Sequence, residues 1–391
     1  MRDDRSVDQL PYCYCQTAAG ESHLREFADN AGIGETDHDM RMQTRRTIDP
    51  RFSAGGYSFC LATPSKRLTV CAWGAMLCLV WAVATTAAAA DRKAGAAHEQ
   101  AFAGRWDLTI EDANKRQLPS WLELSVDKGV WKASFVGRWG NARPLPKVVI
   151  QRDVIEFVSP KQEEDSKTDL VFDGKLSGGT LTGSAKGPNG TTWTWTGKRA
   201  PALKPPANPT WGAPITLFNG RDFGGWTFDN PAKASSWVVE EGCLVNKSAG
   251  SNIVTERSFQ DFKLHIQVNC PSNANSGVYL RGRYEVQIED DSIQEPPSHH
   301  MGAIYGFLPP VPEQPRSPGV WQTFDITLVG RFVTVVQNGH TIINNQEIPG
   351  ITGGAINSYE ESPGPIYLQG DHGGIAYRNI LIRVLSTAPG A

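Results

Sequence analysis

Apolar and polar residues alternate strictly along F-K-L-H-I-Q-V-N-C, residues 262–270. Phe262, Leu264, Ile266, Val268 and Cys270 fall on one face, and Lys263, His265, Gln267 and Asn269 on the other. This two-residue period is that of a half-buried strand. The runs 321–329, 332–338 and 377–384 read the same way, and Asn338-Gly339 between two of them predicts a tight hairpin turn. Upstream, short strand-like runs occur at 104–110, 121–126, 130–136, 148–150, 154–158, 170–176, 180–185 and 192–196. Turn residues separate them at the spacing expected of an all-β barrel or sandwich. No stretch longer than a turn carries the period of an amphipathic helix.

These patterns divide the chain. Residues 1–66 are polar and aperiodic, and read as a disordered extension or the product of a mis-assigned start. Lys66-Arg67 precede an apolar run from Leu68 to Val83, followed by T-T-A-A-A-A-D. A basic start, an h-region and a small-residue site describe a signal peptide over 67–90, cleaved after Ala90. The expected location is therefore periplasmic or secreted, with no stable membrane span left after cleavage. A membrane anchor needs about 20 apolar residues, more than this run supplies. Arg45-Arg46 lie too far upstream to act as a twin-arginine signal. A small all-β accessory domain is expected at 98–198, then a linker at 199–214 whose five prolines favour an extended spacer. A second β-rich domain spans 215–386 and reads as a two-sheet antiparallel sandwich.

Composition narrows the function. The 391 residues carry a formal net charge of −3 and no basic patch, which gives no footprint for nucleic acid. Twelve Trp with 39 Gly and 26 Pro favour β-structure with tight turns. Those of the accessory domain fit its core, or else a face on which sugars stack. Of seven Cys, five precede residue 90; Cys13 and Cys15 lack a zinc-ligand spacing. Cys243 and Cys270 fit either one disulfide or two buried thiols.

Polar chemistry concentrates in three places. The run 279–291, read as one strand, puts Leu280, Tyr284, Val286 and Ile288 on one face and Arg281, Arg283, Glu285, Gln287 and Glu289 on the other. Such a row is either a solvated outer face or the lining of a saccharide site. Glu285 and Glu289 would have Cα atoms about 13 Å apart along a strand, so leaning side chains permit a two-carboxylate glycosidase without requiring one. The Gly-rich turn 367–374 carries Gln369, Asp371 and His372, where a histidine can act as base or acid. The segment 294–319 holds seven prolines and His299-His300, and its Ile304, Tyr305 and Phe307 predict an ordered loop packed over something. Adjacent histidines on an extended chain point apart, which disfavours them as a metal pair.

Eight segments in register resemble the 3-keto-disaccharide hydrolase family, the domain of unknown function 1080, over about 215–385. They are L-F-N-G-R-D-F-G-G-W (217–226), W-V-V-E-E-G-C-L (237–244), D-F-K-L (261–264), N-S-G-V-Y-L-R (275–281), Y-E-V-Q-I-E-D (284–290), G-A-I-Y (302–305), N-G (338–339) and L-Q-G-D-H-G…Y-R-N-I (368–380). The resemblance implies a concanavalin-like jelly-roll sandwich, here preceded by the small β-barrel-like domain. It implies an oligosaccharide or glycoside substrate cleaved by C2 proton abstraction, elimination and hydration. Glu285, His372 and Arg281 match as catalytic residues: His372 or Glu285 as base and Arg281 as enolate stabiliser. Asn275, Ser276, Gln287, Asp290, Tyr305, Gln369 and Arg378 match as substrate-binding residues. No cofactor is implied, although a divalent cation can replace Arg281 as electrophile. Glu289 departs from the family, where an apolar residue is usual. A retaining β-glucan hydrolase using Glu285 and Glu289, and a non-catalytic carbohydrate-binding or surface-interaction protein, are the alternatives.

Overall fold

The computed structural model describes residues 99–386, apart from 138–139, 162–166, 187–189 and 291–293. The expected extension (1–66) and signal peptide (67–90, cleaved after Ala90) lie outside the described residues. The described residues fall in one compact unit built of strands, with short 3-10 turns at Pro231–Ser236 and Pro297–His299.

Among the described residues the first module is a single antiparallel sheet of nine strands from Gly104–Glu111 to Thr192–Arg199. Its two edge strands, Arg143–Pro144 and Lys147–Gln151, are joined by only Leu145 and Pro146. A flat nine-stranded sheet cannot bring its edges that close, so the sheet curls into a barrel. Alternate side chains fill the inside: Phe157 stacks on Phe172 at 4.6 Å, with Phe135, Trp106 and Trp195 buried around them. Trp193 is buried as well and Trp131 partly so, so among the described residues these tryptophans belong to the module's core.

The second module packs an eight-stranded sheet on a five-stranded one. The larger sheet contains Phe262–Asn269, Trp321–Val329, Phe332–Gln337 and Ile375–Val384, close to the strands that alternation predicted. The smaller sheet runs in the order Trp226–Phe228, Ile253–Thr255, Tyr367–Leu368, Asn275–Leu280, Tyr284–Glu289. Ile253, Val278, Tyr284, Val286, Ile288 and Leu368 point inward against Leu264, Ile266, Phe324 and Tyr377 to make the sandwich core. Cys243 and Cys270 are buried free thiols, so the thiol alternative holds; burial pushes the Cys270 thiol up to about 12.

One predicted strand is two. The run 279–291 is interrupted by a hairpin at Arg281-Gly282-Arg283, with Leu280 paired to Tyr284 across it. Arg281 and Gly282 have φ of 54° and 64°, the left-handed pair of a type I′ turn. An arginine at positive φ is costly. The cost is offset because its fully buried guanidinium donates to the carbonyls of Gly330 and Glu360 and lies 5.1 Å from the Tyr284 ring centre.

The two modules share a buried seam rather than a mere tether. Trp121 of the barrel meets Phe307 edge-on at 5.2 Å and belongs to the sandwich core. The linker is fixed at both ends: Arg331 Nη2 donates to Pro201 O at 2.7 Å, and Trp211 bridges Leu385. Beside it, Asp107 of the barrel faces Glu360 of the sandwich, whose carboxylate accepts from Tyr284 Oη at 2.6 Å and Arg331 Nη1 at 3.1 Å. Burial first, then the Glu360 charge and hydrogen bond, push the Asp107 carboxyl up to about 9. The folded chain therefore keeps a proton that the unfolded chain releases near its ordinary value of about 4. This contribution is complete below about pH 4 and is lost as pH rises through about 9. Asp107→Asn keeps the neutral shape without the titration. Thermal melts between about pH 5 and 9 should show a shallower loss of stability in the variant, by up to about 1.4 kcal/mol per pH unit. Equal slopes for the two proteins would refute the shared proton.

Candidate functional site

The hairpin sets which residues meet. Antiparallel pairing places Asn275 opposite Glu289, Gly277 opposite Gln287 and Tyr279 opposite Glu285, all on the face turned away from the core. Tyr279 also pairs with Tyr367 of the next strand, and their rings stack at 4.4 Å. Gln369 follows, its N–H bonded to Gly277 O at 3.0 Å. On the other side, residues 302–305 line the edge of Tyr284–Glu289: Gln287 N donates to Ala303 O and Tyr305 N to Glu285 O. Glu285, Gln287, Glu289, Asn275 and Gln369 thus come together with Tyr279 and Tyr367, and Tyr305 borders them through its backbone.

Glu285 is the chemical centre. Its side chain is buried, and no cation pairs with it in the described structure. Burial pushes its carboxyl up to about 8; the Tyr279 hydrogen bond opposes this, and the charges of Asp371 and Glu289 add to it. Tyr279 Oη lies 2.9 Å from both Glu285 Oε2 and Gly353 O. One phenolic proton cannot serve two acceptors. With a proton on Oε2, Glu285 donates to the phenol and the phenol donates to Gly353. With that proton on Oε1, or absent, the phenol donates to Oε2. Gly277 makes room for this carboxyl: a Cβ there would stand 2.2 Å from Oε1.

The row continues with Gln287, whose Nε2 donates to Glu289 Oε2 at 2.7 Å. Asn275 Nδ2 donates to the same oxygen at 2.9 Å, so the extra carboxylate is held in place by two amides. Gln287 Oε1 is buried with no hydrogen-bond partner.

The histidine turn joins the same site. Gly370 is fixed by Asn252 Oδ1, which its N–H reaches at 2.7 Å, and by Asn246 Nδ2, which donates to its carbonyl. Beyond it, His372 Nδ1 bonds Asp371 Oδ1 at 2.7 Å, with the imidazole half exposed. That hydrogen bond raises the His372 pKa, and the charges of Asp371 and Glu289 add to it. The Asp371 charge also acts on Glu285, Tyr279 and Tyr367, so the turn and the carboxylate row share one electrostatic site.

Four expected residues stand elsewhere. Arg281 is in the hairpin and points to Tyr284 and Glu360, beneath the opposite face from Glu285, which removes it as enolate stabiliser. Ser276 is buried on the core side, where its hydroxyl bonds Gln369 O and Tyr377 Oη at 2.7 Å each. Arg378 belongs to the larger sheet; it donates to Gln267 Oε1 and covers Trp321 at 4.0 Å. Asp290 lies past the strand end, where its charge acts on the Cys270 thiol. Sequence reasoning missed Tyr279, Tyr367 and Gly353. Tyr279 stands in the N-S-G-V-Y-L-R run, and its role follows only once the hairpin register sets it against Glu285. Among the described residues no three His, Cys, Asp or Glu side chains gather as metal ligands. No helix there is long and apolar enough to cross a membrane.

Residues 213–383 match the family model of the 3-keto-alpha-glucoside-1,2-lyase-like domain, close to the bounds expected from the motifs. The match supports a carbohydrate-active enzyme domain; the barrel lies outside it. Among solved structures, a provisionally named glycosyl hydrolase of Parabacteroides distasonis ATCC 8503 is 29% identical, with TM-score 0.38 over 48% of this chain and 94% of its own. A second from that organism is 22% identical, with TM-score 0.36 over 44% and 94%. SCLam, a non-specific endo-beta-1,3(4)-glucanase, is 10% identical, with TM-score 0.27 over 46% and 83%. No curated protein matches the chain.

The Tyr279 phenol is the group that opposes the upward shift of Glu285. In Tyr279→Phe the carboxyl should titrate higher still, above about 8. Carboxyl-selective NMR across a pH series reads this directly, and an unchanged or lowered midpoint would contradict the proton arrangement.

Proposed function

We propose that the sandwich domain cleaves 3-keto-glycosides by proton abstraction, elimination and hydration. The observation that carries this reading is a buried carboxyl bonded to Tyr279 with no cation beside it in the described structure, in the same site as an Asp371-oriented histidine. A C3 ketone acidifies the C2 proton. With Nδ1–H engaged by Asp371, the other ring nitrogen of His372 is the base that removes it. Negative charge then grows on the C3 oxygen. Neutral Glu285 suits that oxygen, with Tyr279 donating to Oε2 and the carboxyl proton on Oε1 offered to the enolate. A neutral carboxylic acid paired with a tyrosine is a known way to hold an enolate.

The enolate collapses by re-forming the C3 ketone, making a C1–C2 double bond and expelling the C1 oxygen substituent. Protonated His372 returns its proton to that leaving oxygen. Water then adds across the double bond, placing hydroxyl on C1 and hydrogen on C2, so the net change is hydrolysis. Gln287, held by Glu289, orients the sugar hydroxyls through its unpartnered carbonyl oxygen. A periplasmic or secreted location, from the signal-like residues 67–90, completes the proposal.

The test is turnover of 3-keto-trehalose against trehalose, with and without chelator. The wild-type chain should release monosaccharide from the keto sugar alone. Glu285→Gln should lower kcat by about 10²–10³, the scale of one lost oxyanion donor, and His372→Ala by about 10²–10⁴. Because the neutral form of Glu285 acts, the rate should fall as pH rises through about 8, and Glu285→Gln should lose that limb. Equal cleavage of both sugars, abolished in Glu289→Gln, would favour the two-carboxylate hydrolase instead. Sugar binding without any turnover would favour the non-catalytic reading.

A further inference from the structure

The barrel reaches the site through the connection between its strands Val130–Val136 and Arg143–Pro144. Asn141 Nδ2 lies 2.8 Å from His299 Nε2. His299 Nδ1 is 2.7 Å from Glu295 Oε2. An amide donating to Nε2 and a carboxylate accepting from Nδ1–H both select the same neutral tautomer. The His299 ring is then laid on Tyr305 at 4.5 Å and 31°. Tyr305 in turn is tied by its N–H to Glu285 O at 3.1 Å.

The backbone packs as closely as the side chains. A Cβ on Gly306 would stand 2.5 Å from Asn141 Cβ, so the chain after Tyr305 rests directly on the barrel. A Cβ on Gly353 would stand 2.0 Å from Gly140 O. Gly353 is the residue whose carbonyl lies 2.9 Å from Tyr279 Oη. Both loops that frame the Glu285 site, 302–308 and 350–354, therefore take their positions from the first module.

We propose that the barrel is a built part of this site: Asn141, through His299, is a positioning residue for Tyr305, which holds the leaving unit of a glycoside against the Glu285 row. This rests on the reaction proposed above for the choice of substrate, but the geometry is testable without it. Losing the position of Tyr305 weakens binding of the leaving unit without altering the groups that move protons. The effect should therefore fall on KM rather than kcat.

The experiment uses the full chain and the variants Asn141→Ala and Asn141→Asp, each checked by near-ultraviolet circular dichroism and thermal melting. Side-chain ¹⁵N NMR of His299 should show the Nδ1–H tautomer alone in wild type. Asn141→Ala, having no donor, should admit some Nε2–H tautomer, and Asn141→Asp, which leaves a carboxylate at each ring nitrogen, should favour the doubly protonated ring. With 3-keto-trehalose, KM should rise about tenfold, roughly 1.4 kcal/mol of binding, while kcat stays within about twofold. An unchanged tautomer in both variants, or a kcat loss with KM constant, would overturn the proposal. If wild type turns over no 3-keto sugar, the reaction fails and the tautomer shift alone decides whether the barrel sets this geometry.

Discussion

A carboxyl buried without a cation cannot stay charged cheaply, and Glu285 is such a group. Removing a charge from water costs several kcal/mol unless a partner offsets it. At Glu285 the partners are a phenol and the space above a glycine, neither of which carries charge. Holding the proton is the lower-energy solution, and the site follows from it. Gly277 must lack a side chain, and Tyr279 must reach Oε2 with its one proton while Gly353 O stands at the same distance from the phenol. A guanidinium in this position would have made Glu285 an ordinary low-pKa carboxylate, useless as a donor at neutral pH.

The guanidinium is instead on the other side of the strand. Arg281 and Arg331 gather with Glu360, Tyr284 and, across the seam, Asp107. The Tyr284–Glu289 strand thus separates two electrostatic environments by its two-residue period. Cations and the seam carboxyls lie below; carboxyls bonded to a phenol, to amides or to a histidine lie above. The lower cluster fixes the hairpin turn and the docked barrel, and the hairpin fixes the register that sets Tyr279 against Glu285.

What could be read from the chain follows the same division. The alternation at 262–270, 321–329 and 377–384 located the large sheet because one face of each strand is buried and the period is unbroken. The site row failed at Arg281 and Arg283, since R-G-R keeps the alternation of polar residues straight through a turn. Alternation reports faces, and a three-residue hairpin that preserves parity is invisible to it. Ser276 and Arg378 stand in the motif segments but serve packing here: one bonds two oxygens beneath the sheet, the other covers a tryptophan. Tyr279 could not be found by spacing at all, because it reaches Glu285 across strands and not along one. His372 was legible as chemistry, yet its orientation by Asp371 and its place beside the row required the fold.

The seam explains why a barrel with no convergent chemistry of its own is fused to a sandwich that has it. In an isolated sandwich, loops 302–308 and 350–354 would end against water, with Phe307 and the backbone at Gly306, Gly350 and Gly353 exposed. The barrel covers them with Trp121, Gly140 and Asn141 and turns mobile rims into fixed walls. A neutral buried carboxyl is only as useful as the geometry that presents its proton. Here part of that geometry, the carbonyl beside Tyr279 and the ring beside Tyr305, packs against a module lying outside the matched domain. On the proposed reaction the functional unit is the pair of modules, with the strand Tyr284–Glu289 as the element whose two faces join its chemistry to its assembly.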